Sequence, residues 1–261
     1  MIAGDHLRRF TLLTASSAVI YLFPMAWVLA DDCKTPLISG PPAWPPLVIP
    51  DSNTENSTGI RTGIAIDVNL DVLKAIGATA RVDASKPWNR VLRDLEVGDI
   101  DMIFALLDSE ERRKKYVYTD VYAHDTYGVV TLKDKGFKYS SAADLTDRNG
   151  AYYAYLKIPP PLNKILQNTS KLQSTKDVAS LYRMLYHGRV DYLIVSVATF
   201  FWLIPEDYNK DDFKVIESSV IKIPVYMAIS KKSPCVKFVK EINAALRSRK
   251  DSISKSLFPQ N

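Results

Sequence analysis

The chain has 261 residues, with 34 Lys and Arg against 29 Asp and Glu, a formal charge of +5 and a pI near 9.0. That length makes one large domain or two small ones with ample core, and no segment is repetitive or low in complexity. Basic residues alternate with acidic ones instead of forming a stripe with interleaved aromatics, so nucleic-acid binding is not expected. A mild positive balance suits small anionic and zwitterionic ligands equally.

Taken in order, the chain opens with Arg8 and Arg9 before an apolar run at 10–29 that ends Val28-Leu29-Ala30. This is the pattern of a secretory signal peptide over residues 1–30, cut after Ala30. An uncleaved membrane anchor is the alternative, but Ser16, Ser17 and Pro24 interrupt the run. The mature chain is therefore expected to be exported and soluble. Two cysteines occur, Cys33 and Cys235. In an oxidising compartment they are expected to form a disulfide, closing a long loop for about 2–4 kcal/mol, with two buried free thiols as the alternative.

A short strand at Leu37, Ile38 and Ser39 runs into Pro41-Pro42-Ala43-Trp44-Pro45-Pro46. Prolines lack a donor and fix the backbone, so this reads as a rigid loop with Trp44 at its tip. An indole there serves as a stacking platform for a ligand or as a lid on the core. A polar surface turn at 51–58 follows. A helix is expected at 69–76, a strand at 81–84, and a helix at 88–95 started by Pro87 and stopped by Gly98. A buried strand, Met102–Leu107, comes next. The β-α-β-α-β order implies a parallel, doubly wound sheet, in which ligands sit outside the carboxyl ends of strands. Trp44 and Arg112 both fall at such ends.

Ser109, with Glu110 and Glu111 after it, reads as the N-cap of a helical turn. At that turn Arg112 could grip a carboxylate with both arms of its guanidinium, or could belong to a solvated basic surface. Arg113, Lys114 and Lys115 are read as solvated. An extended run at 116–122 follows, then a strand at 128–132, a helical turn at Ala142–Leu145 and a tyrosine-rich strand at 151–156. A stiff connection at 157–161 enters a helix at 162–167. Then come a helix at Val178–Tyr186, a strand at 190–197, an apolar cluster at 200–203 assigned to the core, and a strand at 223–230. Helices at 236–246 and 252–257 close the chain. The α/β order thus runs twice, giving two lobes joined by extended crossings near 123–129 and 222–225. The lobes are expected to comprise 31–124 with 226–261, and 125–225.

From Trp44 to Leu257 the chain resembles the family 3 bacterial extracellular solute-binding proteins of the periplasmic amino-acid-binding type. The resemblance rests on Trp44-Pro45-Pro46-Leu47, on Gly63-x-x-x-Asp67-Val68, and on Leu185-x-x-Gly188-Arg189-Val190-Asp191. Its most specific part is Gly98-Asp99-Ile100-Asp101, then Ser109-Glu110-Glu111-Arg112, then Tyr118-Thr119-Asp120-Val121-Tyr122. It implies a two-lobed α/β fold of periplasmic binding protein type II, each lobe a mostly parallel sheet flanked by helices. Arg112 would hold the ligand's carboxylate, Trp44 would stack on its side chain, and backbone groups at Ala105 and Leu107 would meet its polar head. The chain departs from the pattern in three places. Ser196 stands where the family carries the carboxylate that pairs the ligand's ammonium, Leu107 replaces a hydroxyl-bearing residue, and Lys157-Ile158-Pro159 replaces a Gly-Ser/Thr loop. The ligand is then a carboxylate without that amine, or the site is rebuilt around Asp108, Tyr155 and Lys157.

The function so implied is capture of a small amino acid or related carboxylate in the periplasm by lobe closure, for an ABC-type importer in the inner membrane. The protein would act as a monomer, without cofactor, metal or catalysis. A sensory or accessory subunit without import is the first alternative. A lyase or dehydratase on the same fold, using Asp108 or His124, is the second. No phosphate loop, metal-spaced His/Cys cluster or nucleophile elbow is present in the sequence.

Overall fold

The computed structural model describes residues 33–49, 62–83, 85–154, 163, 169–251 and 253. The leader expected at 1–30, the turn at 51–58 and the connection at 157–161 lie outside the described residues.

The first half builds strands β1 (Leu37–Ser39), β2 (Arg81–Val82), β3 (Met102–Leu107) and β4 (Tyr116–Tyr118), with helices α1 (Ile64–Ala75), α2 (Trp88–Val97) and α3 (Glu110–Lys115). A ten-residue strand, β5 (Ala123–Leu132), leads to the second half. That half contains β6 (Gly150–Tyr153), β7 (Leu172–Thr175), α4 (Val178–Tyr186), β8 (Tyr192–Ser196), α5 (Val197–Trp202) and β9 (Phe213–Val215). A second ten-residue strand, β10 (Ile221–Ser230), returns to the first half, where α6 (Val239–Ser248) packs.

The strands join in the order β2-β1-β3-β10-β5-β8-β6-β7, with β4 also on β10 and β9 also on β5. β2, β1 and β3 are parallel, as are β7, β6 and β8. The two parallel groups are bridged by β5 and β10, which pair antiparallel from Ala123↔Val225 to Tyr127↔Ile221. This is the two-lobed α/β architecture implied by the motifs, with one difference: the two parallel groups, each flanked by helices, are joined through β10 and β5 into one ten-stranded mixed sheet.

β3 is buried along its whole length, because helices cover both of its faces. Met102 and Phe104 pack with Val72 and Leu73 of α1 and Ile242 and Leu246 of α6. Ile103 and Leu106 pack with Val91 and Leu95 of α2. Burial on both faces explains the unbroken apolar run MIFALL, in which no polar alternation is needed. Beyond the crossing a separate core forms around Val130, Leu181, Tyr182, Leu193 and Phe200. Cys33 and Cys235 are joined in a disulfide, Cα to Cα 5.0 Å, inside the first core and across 202 residues of sequence.

Several expected boundaries move. α1 begins at Ile64, well before 69, because the carbonyls of Pro46 and Leu47 accept the N–H groups of Ile64 and Ala65 at 3.3 and 3.0 Å. Those carbonyls satisfy donors that a helix start otherwise leaves open. Gly63, at φ 127, makes the turn into the helix, where a Cβ would lie 2.5 Å from the Leu47 oxygen. The extended run after α3 is a strand only over Tyr116–Tyr118, paired with β10, and single backbone bonds from Thr119 and Tyr122 to β10 follow. The 200–203 cluster divides: Phe200 is buried, whereas Trp202 is 54% exposed. The last long helix starts at Val239, after a 3-10 turn at Pro234–Phe238 that Ser233 caps. Strands β7 and β9 were not anticipated; Leu172–Thr175 carries three polar residues, and its pairing to β6 alone makes it an edge.

Candidate functional site

β1 stops at Ser39, opposite Ile103, so residues 105–107 of β3 continue past its end, paired among the described residues only with β10. The chain leaving β1 turns tightly over the same strand. A Cβ at Gly40 would lie 2.0 Å from the Phe104 ring, so glycine is required there. The proline loop then closes on itself, Trp44 N donating to Val48 O at 2.8 Å and Val48 N to Trp44 O at 2.9 Å. With Pro46 and Leu47 tied to α1, the indole of Trp44 is held at a fixed place and angle.

That indole donates its N–H to Asp125 Oδ2 at 2.7 Å. Asp125 lies on β5, opposite Ile223 of β10, and is 6% exposed. Its other oxygen accepts from Ser196 Oγ at 2.9 Å and from Thr126 N at 2.8 Å. Burial pushes this carboxyl above the usual range, and the bonds from Trp44, Ser196 and Thr126 only partly offset it. Ser196 ends β8 and caps α5, lying 3.0 Å from Thr199 Oγ1. The Thr199 hydroxyl donates to Pro45 O at 2.9 Å. The proline loop of the first half is thus bound to the crossing strand and to the first turn of α5.

Arg112 stands on the other side. The sequence-predicted cap is present: Ser109 Oγ accepts from Arg112 N at 3.3 Å, opening α3. The guanidinium turns back over β3, and its Nη1 donates to Leu107 O at 2.8 Å. It forms no ion pair among the described residues. Burial pulls it below its ordinary range, and the neighbouring Tyr118, Tyr116 and Glu111 oppose this without reversing it. Its neighbours behave otherwise. Arg113 pairs with Asp108 and Lys115 with Glu96, both at the surface.

Between these walls lies a cleft of about 380 Å³. Trp44, Trp88, Ala105, Leu107 and Arg112 line it from the first half. Tyr153, Tyr182, Ser196, Thr199, Phe200 and Leu203 line it from the second, with Tyr127 at the crossing. The site therefore brings together Trp44, Ala105, Leu107, Arg112 and Ser196. Asp108 lies outside the lining; Arg113 holds its Oδ2, and its Oδ1 is buried without a hydrogen-bond partner among the described residues. Tyr155 and Lys157 are outside the described residues. Sequence reasoning missed Asp125, Thr199, Trp88 and the aromatic wall of the second half. An acid inside a strand that otherwise alternates with buried apolar residues is the signal that could have exposed Asp125. The geometry can hold a small molecule with one anionic end and an apolar body. Among the described residues no group of three or more His, Cys, Asp or Glu could hold a metal. None of the described helices is long and apolar enough to cross a membrane.

Comparison with solved structures agrees with this architecture. An ancestral arginine-binding protein bound to arginine superposes with TM-score 0.69 at 20% identity, over 87% of this chain and 99% of that one. The arginine-, lysine-, histidine-binding protein ArtJ from Geobacillus stearothermophilus does so with TM-score 0.67 at 18% identity, over 87% and 96%. Identities this low show the fold alone. The L-cystine-binding protein TcyA of Bacillus subtilis (strain 168) is 26% identical over 139 residues, 52% of this chain and 49% of that protein. The chain thus spans about half the length of this curated relative. The model of the bacterial extracellular solute-binding proteins, family 3, matches residues 41–256, nearly the whole of the described structure. The chain belongs to that family.

Proposed function

We propose that this protein captures a small carboxylate-bearing solute, an amino acid or a related acid, in the cleft between its halves and delivers it to an ABC-type importer. The observation that carries this reading is Arg112: a partly buried cation, without an ion-pair partner among the described residues, aimed into a cleft walled by both halves. A guanidinium so placed is completed by a ligand carboxylate through two parallel bonds. The lobes would comprise 31–124 with 226–261, and 125–225, and would hinge about the paired strands β5 and β10. Family membership supports an extracellular or periplasmic location, consistent with a leader over 1–30 and with the Cys33–Cys235 bond. The family model and the curated relative are of binding proteins, which supports capture without chemistry, while one similar solved structure is an ancestral amino-acid-binding protein that is a precursor of cyclohexadienyl dehydratase. The related proteins that bind arginine or cystine support an amino-acid-sized ligand.

The test is a thermal-shift screen of the purified protein against amino acids, organic acids and amines, repeated with Arg112→Ala. The expected result is a shift by one or more carboxylates that is lost in the variant. Shifts of equal size in both proteins, or shifts by amines alone, would overturn the reading.

A further inference from the structure

We infer that the ligand of this cleft is a monocarboxylate with an apolar, preferably aromatic, body and no free α-amine. This rests on the solute-binding reading above and names the chemistry of that same site. Three observations carry it.

First, the charge in the cleft has one sign. Arg112 is the only charged residue in the described lining, which contains no Asp or Glu. The start of α2 at Trp88 and Asn89 also faces the cleft without a side-chain cap, so its free N–H groups add to the positive field. A zwitterion whose carboxylate reached Arg112 would place its ammonium within a few ångströms of that same cation. No carboxylate among the described lining residues would compensate it.

Second, the buried carboxylate behind the indole is already committed. Asp125 sits behind the lining, with Oδ2 bonded to the Trp44 indole and Oδ1 to Ser196 Oγ and Thr126 N. For an ammonium to reach it, the indole would have to leave, breaking a charge-assisted bond at the tip of a loop fixed by its own carbonyls and amides. The hydroxyls beside it are neutral and turn their protons away, Ser196 to Asp125 and Thr199 to Pro45 O, so neither supplies a charge opposite to an ammonium. An unpaired ammonium desolvated in such surroundings is strongly unfavourable.

Third, the rest of the wall is apolar and aromatic. Trp44 and Trp88 face it from one half, and Tyr182, Phe200 and Leu203 from the other. The Tyr182 hydroxyl is spent on Phe200 O at 2.6 Å, so that ring presents carbon to the cleft. A flat hydrocarbon group gains most here, through burial and ring-to-ring contacts. A second cationic group, such as a guanidinium side chain, would meet Arg112 and no acid.

The decisive experiment is calorimetric titration of three probes that share a phenylethyl group: 3-phenylpropanoate, L-phenylalanine and 2-phenylethylamine. The expected order is 3-phenylpropanoate tightest, L-phenylalanine weaker by about tenfold or more, and the amine undetected. Arg112→Met should abolish binding of 3-phenylpropanoate. Arg112→Lys, which keeps a cation but loses the fork, should weaken it while preserving the fold. L-Phenylalanine binding as tightly as 3-phenylpropanoate, or tighter, overturns the inference and leaves the solute-binding reading standing. So does a melting shift by polar amino acids with no binding of 3-phenylpropanoate. If the amine binds best, or no carboxylate binds and no amino acid shifts the melting curve, both readings fall.

Discussion

Replacing Trp44 with Phe separates the two jobs of this side chain. The ring survives as cleft wall, but the N–H that reaches Asp125 Oδ2 at 2.7 Å is gone. Asp125 is almost fully buried and loses one of its donors, leaving Ser196, Thr126 and Tyr127, and a buried acceptor left short of a partner costs about 1–3 kcal/mol. The cost depends on pH, and the sign follows from linkage. Burial already raises the Asp125 pKa in the folded state above its unfolded value. The folded state therefore holds its proton more tightly, and stability falls as pH climbs from the ordinary carboxylate range through the raised value. Removing a donor that favours the ionised form raises the folded pKa further, each unit being worth about 1.36 kcal/mol. Trp44→Phe should thus be destabilised by about 1–3 kcal/mol at pH 8, and by progressively less as pH is lowered through the raised pKa. Urea denaturation from pH 5 to 8, with m unchanged, measures the difference directly. A gap that does not change with pH, or no gap at pH 8, would refute the idea that the indole stabilises a buried carboxylate.

Three further substitutions probe the parts that position the site. Cys33→Ser with Cys235→Ser should lower unfolding free energy by about 2–4 kcal/mol, read by guanidinium denaturation, because the bond closes almost the whole described chain. Gly40→Ala places a methyl against the Phe104 ring; expected are a loss of about 1–3 kcal/mol in thermal unfolding and weaker binding of any cleft ligand, since the proline loop must shift. Thr199→Val removes the hydroxyl bonded to Pro45 O and should cost about 0.5–1.5 kcal/mol. If that bond helps keep the halves together, small-angle scattering of the ligand-free variant should show a larger radius of gyration than wild type.

Much of this molecule was legible because its signals are local. The run MIFALL specified β3 to the residue, since burial on both faces needs only an unbroken apolar stretch. Ser109 with two acids behind it specified the start of α3, and with it the place of Arg112 at a strand end. Val178–Tyr186 was read correctly from its one apolar face and from Gly188 beyond it. The two cysteines announced their bond through number and compartment alone.

What sequence could not supply is the identity of groups that meet only after folding. Trp44 and Asp125 are 81 residues apart and Asp125 and Ser196 are 71 apart, so no window of periodicity connects them. Asp125 looked like an ordinary polar position on an extended strand. It became the hub of the site because β5 crosses between the halves just where the proline loop and the cap of α5 arrive. By itself the sequence determined the buried strand β3, the helical turn that presents Arg112 and the family. Only the tertiary structure decided that the indole's donor is spent on a buried carboxylate and that the described walls of the cleft oppose the guanidinium with no acid. Hydrogen bonds and charge compensation belong to neighbours in space, and neighbours in space are assigned when the chain closes on itself.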